Sequence, residues 1–157
     1  MDNPFSHLDP SGNPGMVDVS NKSETIREAK AQSIVFLGKE VVDHFENIAW
    51  ENKKGSIIQT AILAGTMAAK KTADLIPLCH PLGLDACLFD VQVQTDVLII
   101  QCTCRLAAKT GVEMEAMVGA SIAALTIYDM CKSVSKGIIV QETKLLYKTG
   151  GKSDFKA

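Results

Sequence analysis

The spacing of hydrophobic and polar positions along the chain predicts seven elements in the order β, α, α, β, β, α, β. They are a strand at 16–20, helices at 22–45 and 56–76, two strands within 86–105, a helix at 111–137 and a strand at 138–149. Strands interleaved with helices and including an antiparallel hairpin are typical of an α+β sandwich, with helices packed on one face of a mainly antiparallel sheet.

The patterns differ in strength. Apolar residues alternate with other residues from Cys87 to Val93 and again from Leu98 to Cys104, which predicts a hairpin that turns at Gln94-Thr95-Asp96. The helices at 56–76 and 111–137 are apolar on most sides and rich in small residues, so we expect burial on several sides, with burial between subunits as one alternative. Segment 22–45 has only a mixed stripe, although Ser23 is a suitable N-cap.

Composition narrows the class of protein. The 157 residues suit one domain, 46% of them are hydrophobic, and the net charge of −2 does not favour nucleic acid. Five cysteines without a secretory leader favour a reducing, cytoplasmic location, and we expect no apolar run as long as a membrane span. The polar start predicts a flexible N-terminal arm at 1–14, mobile or ordered by a ligand, ahead of one domain at 15–157.

A helix-breaking loop carries the most informative histidine. In the stretch DLIPLCHPLGL, Pro77 and Pro81 bracket Cys79 and His80, and proline restricts both its own backbone and that of the residue before it. Rigid loops outside regular elements often position catalytic groups, and an imidazole suits proton transfer near neutral pH. The alternative is a structural histidine against an apolar surface.

Charged residues on and near the helices have two interpretations each. Glu113 and Glu115 can simply favour the helix dipole, and Asp129 and Lys132 can form an i, i+3 surface pair. However, an ion pair on a largely buried helix suggests function. Lys54, just before Gly55 and the second predicted helix, is either an anion-binding residue at a helix start or an ordinary surface lysine.

Two motifs are weak. Cys102-x-Cys104 together with Cys79-His80 could hold zinc, but the strand cysteines occupy apolar-facing positions and no second paired-ligand motif exists, so we expect no metal. TGGKS at 149–153 fails as a phosphate-binding loop because Leu146 stands where a glycine is needed. Lys148 and Lys152 are left as a basic tail that could close over an anion or remain solvated.

Four longer stretches carry a resemblance. LIPLCHPL, KTGVEMEAM, AALTIYDMCKSV and LLYKTGGKSDFK, in this order, resemble the cyclic pyranopterin monophosphate synthase family of molybdenum cofactor biosynthesis. The resemblance covers the chain from about residue 15 and implies a ferredoxin-like α+β fold in a homohexamer, a trimer of dimers. It implies a lyase that converts 3′,8-cyclo-7,8-dihydro-GTP, the product of a preceding radical enzyme, into cyclic pyranopterin monophosphate with release of pyrophosphate. No resident cofactor is implied; magnesium accompanying the triphosphate stays open.

The resemblance also assigns residues. As catalytic groups it implies Asp129, Lys132, His80, Lys54 and Glu113. As substrate contacts it implies Leu78, Cys79, His80, Met114, Glu115 and Lys148. The tail sequence KSD departs from a more glycine-rich family version, which leaves its ligand contacts open.

Two alternatives and one geometric expectation accompany this assignment. The alternatives are a non-catalytic subunit that binds a nucleotide or pterin, and a zinc protein that uses cysteines and His80. Glu115 and Asp129 are fourteen residues apart on one predicted helix, which is roughly 21 Å along its axis. We therefore expect either that only one of them reaches the reacting ring system or that the site is shared between subunits.

Overall fold

The computed structural model describes residues 11–157. Its strands are β1 (Thr25–Phe36), β2 (Glu51–Asn52), β3 (Gly55–Ser56), β4 (Ala86–Gln94), β5 (Val97–Ala108), β6 (Ile139–Thr149) and β7 (Phe155–Lys156). Its helices are α1 (Lys39–Glu46), α2 (Ile57–Ala69), α3 (Thr72–Leu75) and α4 (Glu113–Cys131).

The main sheet has five antiparallel strands in the order β4-β5-β1-β6-β7, and β2 and β3 form a separate two-stranded ribbon. α2 and α4 pack against each other, and α4 lies along β1, β5 and β6. The chain order β1-α2-β4-β5-α4-β6, with β1 between β5 and β6, is the ferredoxin-like arrangement. The predicted α+β class is therefore confirmed.

The first predicted helix is wrong over its first half. Residues 25–36 form strand β1, which pairs with both β5 and β6, and helix begins only at Lys39. Every second residue of this strand faces the core, but three of the four fully buried ones are small: Ala29, Ala31, Ser33 and Val35. Because alanine and serine are only weakly hydrophobic, the alternation of buried and exposed residues could not be recognised from hydrophobicity in the sequence.

The other predicted elements differ less from those of the structure. The hairpin is confirmed, with Gln94 opposite Val97, and β6 lies within one residue of its prediction. The helix predicted at 56–76 ends at Ala69 and is followed by the short α3, while α4 ends at Cys131 rather than at residue 137. Residues 16–20 are not a strand, and the connector at 46–55 contains the β2–β3 ribbon.

Small residues let the helices approach each other and the sheet closely. A Cβ added at Gly65 would lie 2.6 Å from the Phe89 ring and 2.7 Å from the Gly119 carbonyl oxygen. One added at Gly119 would lie 2.8 Å from the Cys102 sulfur. These positions therefore require glycine because no side chain fits where α2, α4 and the sheet meet.

Helix α4 is long and apolar enough to cross a membrane by length and composition, contrary to the expectation that no apolar run is that long. It is the only such helix in residues 11–157, and 56% of its most apolar window is buried inside the fold. Burial against α2 and three strands explains its composition, since a central helix of a globular domain needs the same apolar residues.

The predicted flexible arm at 1–14 lies mostly outside the described residues. Its last residues, 11–14, lead into an irregular segment that continues to residue 24. That arm, and the assignment of 15–157 to one domain, stay predictions.

Candidate functional site

A cavity of about 890 Å³ lies where the first turn of α4 meets the proline-bracketed loop. Its walls come from residues 14–22, 76–82 and 110–115. Glu113 lines this cavity. So do five of the predicted substrate contacts: Leu78, Cys79, His80, Met114 and Glu115. Residues from two separate motifs of the sequence are thus brought around one space of the size of a small-molecule site.

His80 connects the loop to the N-terminal segment. Its Nε2 atom lies 2.8 Å from the Val17 carbonyl oxygen, so the Nε2–H group donates a hydrogen bond across the cavity wall. Lys109 Nζ holds the same segment through the Ser20 carbonyl oxygen at 2.8 Å. Residues 16–20 therefore form an irregular wall of the cavity instead of the predicted strand, and the tautomer of His80 is set by a backbone carbonyl.

Glu113 and Lys148 form an ion pair at the edge of the cavity. The Lys148 Nζ atom, on β6, lies 2.9 Å from Glu113 Oε1, and both side chains are about one-third exposed or less, at 33% and 26%. The Glu113 carboxylate lies directly over Gly111, where an added Cβ would be 1.9 Å from it. A side chain at residue 111 would therefore displace the Glu113 carboxylate from this position.

Glu115 is the most buried charged residue of the described chain, with 3% of its surface exposed. Burial, together with the smaller effect of the nearby Glu113 carboxylate, raises the pKa of its carboxyl group to about 7. A carboxylic acid that titrates near neutral pH can both donate and accept a proton under physiological conditions. Glu115 thus combines contact with the cavity and a pKa suited to acid–base chemistry.

The raised pKa of Glu115 predicts a dependence of stability on pH. Folded protein binds this proton more tightly than unfolded protein, where the group has its ordinary pKa of 4.5. The free energy of unfolding should therefore fall by up to about 3 kcal/mol as pH rises from 4.5 through 7, and Glu115→Gln should remove most of this fall. Urea unfolding at pH 5 and pH 8, at one fixed protein concentration, measures it.

The control is Glu40→Gln, which removes an exposed carboxylate from the first turn of α1. That variant should keep the pH dependence of the unmodified chain. If Glu115→Gln and Glu40→Gln lose the same free energy between the two pH values, Glu115 is not protonated in the folded protein at pH 5 to 7.

A second cluster lies at the other end of α4. The Lys132 Nζ atom is 2.7 Å from Asp129 Oδ1, and the Lys54 Nζ atom is 3.5 Å from Asp129 Oδ2. A hydrogen bond from Lys132 and the charges of both lysines lower the pKa of Asp129, while Asp129 raises the pKa of Lys132. All three side chains are half or more exposed, so the pair is at the surface and not buried as its apolar neighbours in sequence suggested.

Asn52, which the sequence did not single out, positions Lys54. Its Nδ2 atom donates to the Met130 carbonyl oxygen at 3.2 Å, and its Oδ1 atom accepts from the Lys54 backbone N–H at 2.7 Å. The ribbon that carries Lys54 is thus tied to the end of α4. Ser56 caps α2, as predicted, by accepting from the Gln59 N–H at 3.4 Å, and the Lys54 ammonium group faces Asp129.

Within one chain, the predicted site residues therefore form two separate groups. Glu113, Glu115 and Lys148 lie at the start of α4, and Asp129 and Lys132 at its end, roughly 21 Å away along the helix. Lys22, which lines the cavity, was also missed because its segment was interpreted as helix.

The proposed combination of Cys79, His80 and the strand cysteines as a zinc site is not assembled. Within residues 11–157, the only group of three or more close metal-ligating side chains is Cys87, Cys102 and Cys104.

The fold and these two clusters define a ferredoxin-like α+β protein whose lysines and carboxylates suit acid–base chemistry on an anionic small molecule. A profile of the MoaC family matches residues 16–151, and the chain belongs to this family. The resemblance stated from the four sequence stretches is thereby confirmed.

Relatives support the same assignment. The chain is 50% identical over 154 residues to the cyclic pyranopterin monophosphate synthases of Xanthomonas axonopodis pv. citri (strain 306) and Xanthomonas campestris pv. campestris (strain B100), with 98% of this chain and 93% of each relative covered. It is 54% identical over 155 residues to a molybdenum cofactor biosynthesis bifunctional protein of Synechocystis sp., which matches 96% of this chain. The chain spans less than half, 45%, of that longer relative.

Proposed function

We propose that this chain is a lyase that converts 3′,8-cyclo-7,8-dihydro-GTP into cyclic pyranopterin monophosphate with release of pyrophosphate, an early step of molybdenum cofactor biosynthesis. The observation that carries the proposal is the convergence of Leu78, Cys79, His80, Met114 and Glu115 on one cavity of about 890 Å³. These residues lie in the sequence stretches that resemble the synthase family, and two relatives that are 50% identical to the chain are named for this synthase.

The chemistry of the two clusters fits this reaction. Ring opening and pterin closure need several proton transfers, and the chain offers His80, Glu115 and the Asp129–Lys132 pair for them. A triphosphate needs cations, and Lys54 and Lys148 supply one at each cluster as charge-assisted donors. No resident cofactor is part of the proposal; a magnesium ion would enter with the triphosphate rather than bind a dedicated cage.

We further propose that a complete site forms between two copies of the chain. Within one chain, the two clusters lie at opposite ends of α4. A two-fold contact between the outer helix faces of two copies would bring the start of one α4 close to the end of the other. Exposed apolar side chains on α2 and α4 support a contact there: Leu63, Met67 and Leu125 are 62%, 53% and 55% exposed. A homohexamer built as a trimer of such dimers is the assembly that we propose.

The proposed location is the cytoplasm. All five cysteines are free, although three of them have sulfur atoms within 4 Å of one another. Free thiols at such close range are stable in a reducing compartment. The preceding radical enzyme, which would make the substrate, is the functional partner that this assignment implies.

The test is direct conversion of the substrate by the purified chain. Supplied with 3′,8-cyclo-7,8-dihydro-GTP, the protein should release one pyrophosphate per cyclic pyranopterin monophosphate formed, with both products measured in one reaction. Binding of the substrate without either product would reject the lyase and favour the non-catalytic binding subunit. If the substrate is converted no faster than in buffer alone and its binding does not saturate, both the lyase and the binding subunit are rejected.

A further inference from the structure

Three thiols form a nearly equilateral triangle in the core, apart from the proposed active site. The Sγ atom of Cys102 lies 3.8 Å from that of Cys104, and Cys87 Sγ lies 3.9 Å from each of the other two. Cys102 and Cys104 are fully buried, whereas Cys87 is partly exposed. No pair within the triangle is closer than another by more than 0.1 Å, so the arrangement does not single out two partners for a disulfide.

Strand pairing and helix packing create this triangle. Cys102 and Cys104 are two residues apart on β5 and therefore point to the same face, and Cys87 on β4 is directly opposite Cys104. That face is covered by α2 and α4, and Gly119 of α4 leaves room for the Cys102 sulfur. Two neighbouring strands, the edge strand β4 and the inner strand β5, therefore hold all three sulfur atoms.

We propose that Cys87, Cys102 and Cys104 bind one thiophilic d¹⁰ metal ion, Zn²⁺ or Cu⁺, as a three-thiolate structural site. A point equidistant from three atoms 3.8–3.9 Å apart lies about 2.2 Å from each of them, and the Zn–S bond is about 2.3 Å. Cu⁺ would thus lie close to the plane of the three sulfur atoms without movement of the strands, whereas Zn²⁺, which takes four ligands in structural sites, would need a fourth ligand outside that plane. Thiolate ligands select these soft ions over magnesium or calcium.

Cys87 is the accessible corner of the triangle, since it is partly exposed while Cys102 and Cys104 are fully buried. Binding would release the thiol protons to solvent, since the metal coordinates thiolates. Cysteines also pack as small hydrophobic residues, and three sulfur atoms in van der Waals contact are equally spaced, so metal titration is what decides between packing and coordination.

The experiment titrates reduced, chelator-treated protein separately with Zn²⁺, with Cu⁺ and with Mg²⁺ as a control. Bound metal per chain, released protons and the thermal midpoint are measured. One equivalent of Zn²⁺ or Cu⁺ should bind and raise the midpoint, and the ion that binds more tightly is the proposed occupant. Cys87→Ala should weaken this binding at least 100-fold, whereas Cys131→Ala, which removes a buried thiol outside the triangle, should leave it unchanged.

A measurement on the unmodified chain keeps the proposal testable if Cys87→Ala does not fold. Alkylation followed by mass spectrometry should show that the bound ion slows modification of Cys87 at least tenfold and leaves Cys79 unaffected. Binding of neither ion at one equivalent, equal binding by Cys87→Ala, or equal protection of Cys79 and Cys87 overturns the proposal. None of these results depends on lyase activity, so they are separate from the test of the proposed function.

Discussion

Asp129→Asn is expected to lower product formation by about 10²- to 10⁴-fold, the usual contribution of a positioned acid–base group, while substrate binding survives. The Asp129 carboxylate is held by Lys132 at 2.7 Å and approached by Lys54 at 3.5 Å, and both lysine charges keep it ionised. Asparagine preserves the shape of the side chain but can neither accept a proton nor stabilise the lysines. Steady-state rates and substrate affinity of the purified variant measure the effect.

Asp43→Asn is the matched control. Asp43 also accepts a hydrogen bond from a lysine on its own helix, with the Lys39 Nζ atom 2.7 Å away. The side chains of Asp43 and Asp129 are almost equally exposed, at 50% and 51%. Exposed pairs of this kind contribute little to stability, so both variants should unfold at nearly the same denaturant concentration. Turnover by Asp129→Asn within threefold of Asp43→Asn would show that Asp129 takes no part in the chemistry.

Mixing two inactive variants should restore activity if the two clusters of different chains form one site. In a two-fold dimer of Asp129→Asn and Lys148→Ala chains, one site carries both substitutions and the other carries neither. If the two chains mix randomly one to one, about half of the dimers contain one chain of each kind. About a quarter of all sites should therefore be intact. Co-expression with two affinity tags, followed by isolation of doubly tagged oligomers, allows the restored rate to be measured per site.

Asp129→Asn mixed with Lys132→Ala provides the control. These two side chains contact each other within one chain, so every site in a mixed dimer loses one of them and no activity should return. Doubly tagged oligomers of the Asp129→Asn and Lys148→Ala chains that are as inactive as this control would contradict sharing of the site. Restoration in both mixtures would instead show that Asp129 and Lys132 of one chain need not serve the same site.

Local patterns in the sequence were sufficient for several parts of the molecule. The hairpin of β4 and β5, strand β6 and the Ser56 cap were predicted because their signals lie within a few neighbouring residues. The prolines around His80 likewise predicted an irregular loop, since proline limits the backbone of itself and the residue before it. The motifs at 74–84 and 109–117 identified residues that the fold brings to one cavity.

Strand β1 shows where local patterns fail. Its inward positions are mostly alanine and serine, because α4 packs closely against this strand, and small residues do not reveal a period of two. Only pairing with β5 and β6, far along the chain, makes this segment a strand. Secondary structure there is decided by non-local hydrogen bonds and packing, not by the intrinsic preference of the residues.

By itself, the sequence determined the α+β class, the family and the residue types available for chemistry. The tertiary structure alone decided which of them meet: His80 with Val17, sixty-three residues away, Glu113 with Lys148, and Lys54 with Asp129. It also decided that the two clusters stand at opposite ends of α4 and that three cysteines from two strands form a triangle. Such contacts depend on strand register and helix packing, which link distant residues, whereas periodicity records only the neighbours of each residue along the chain.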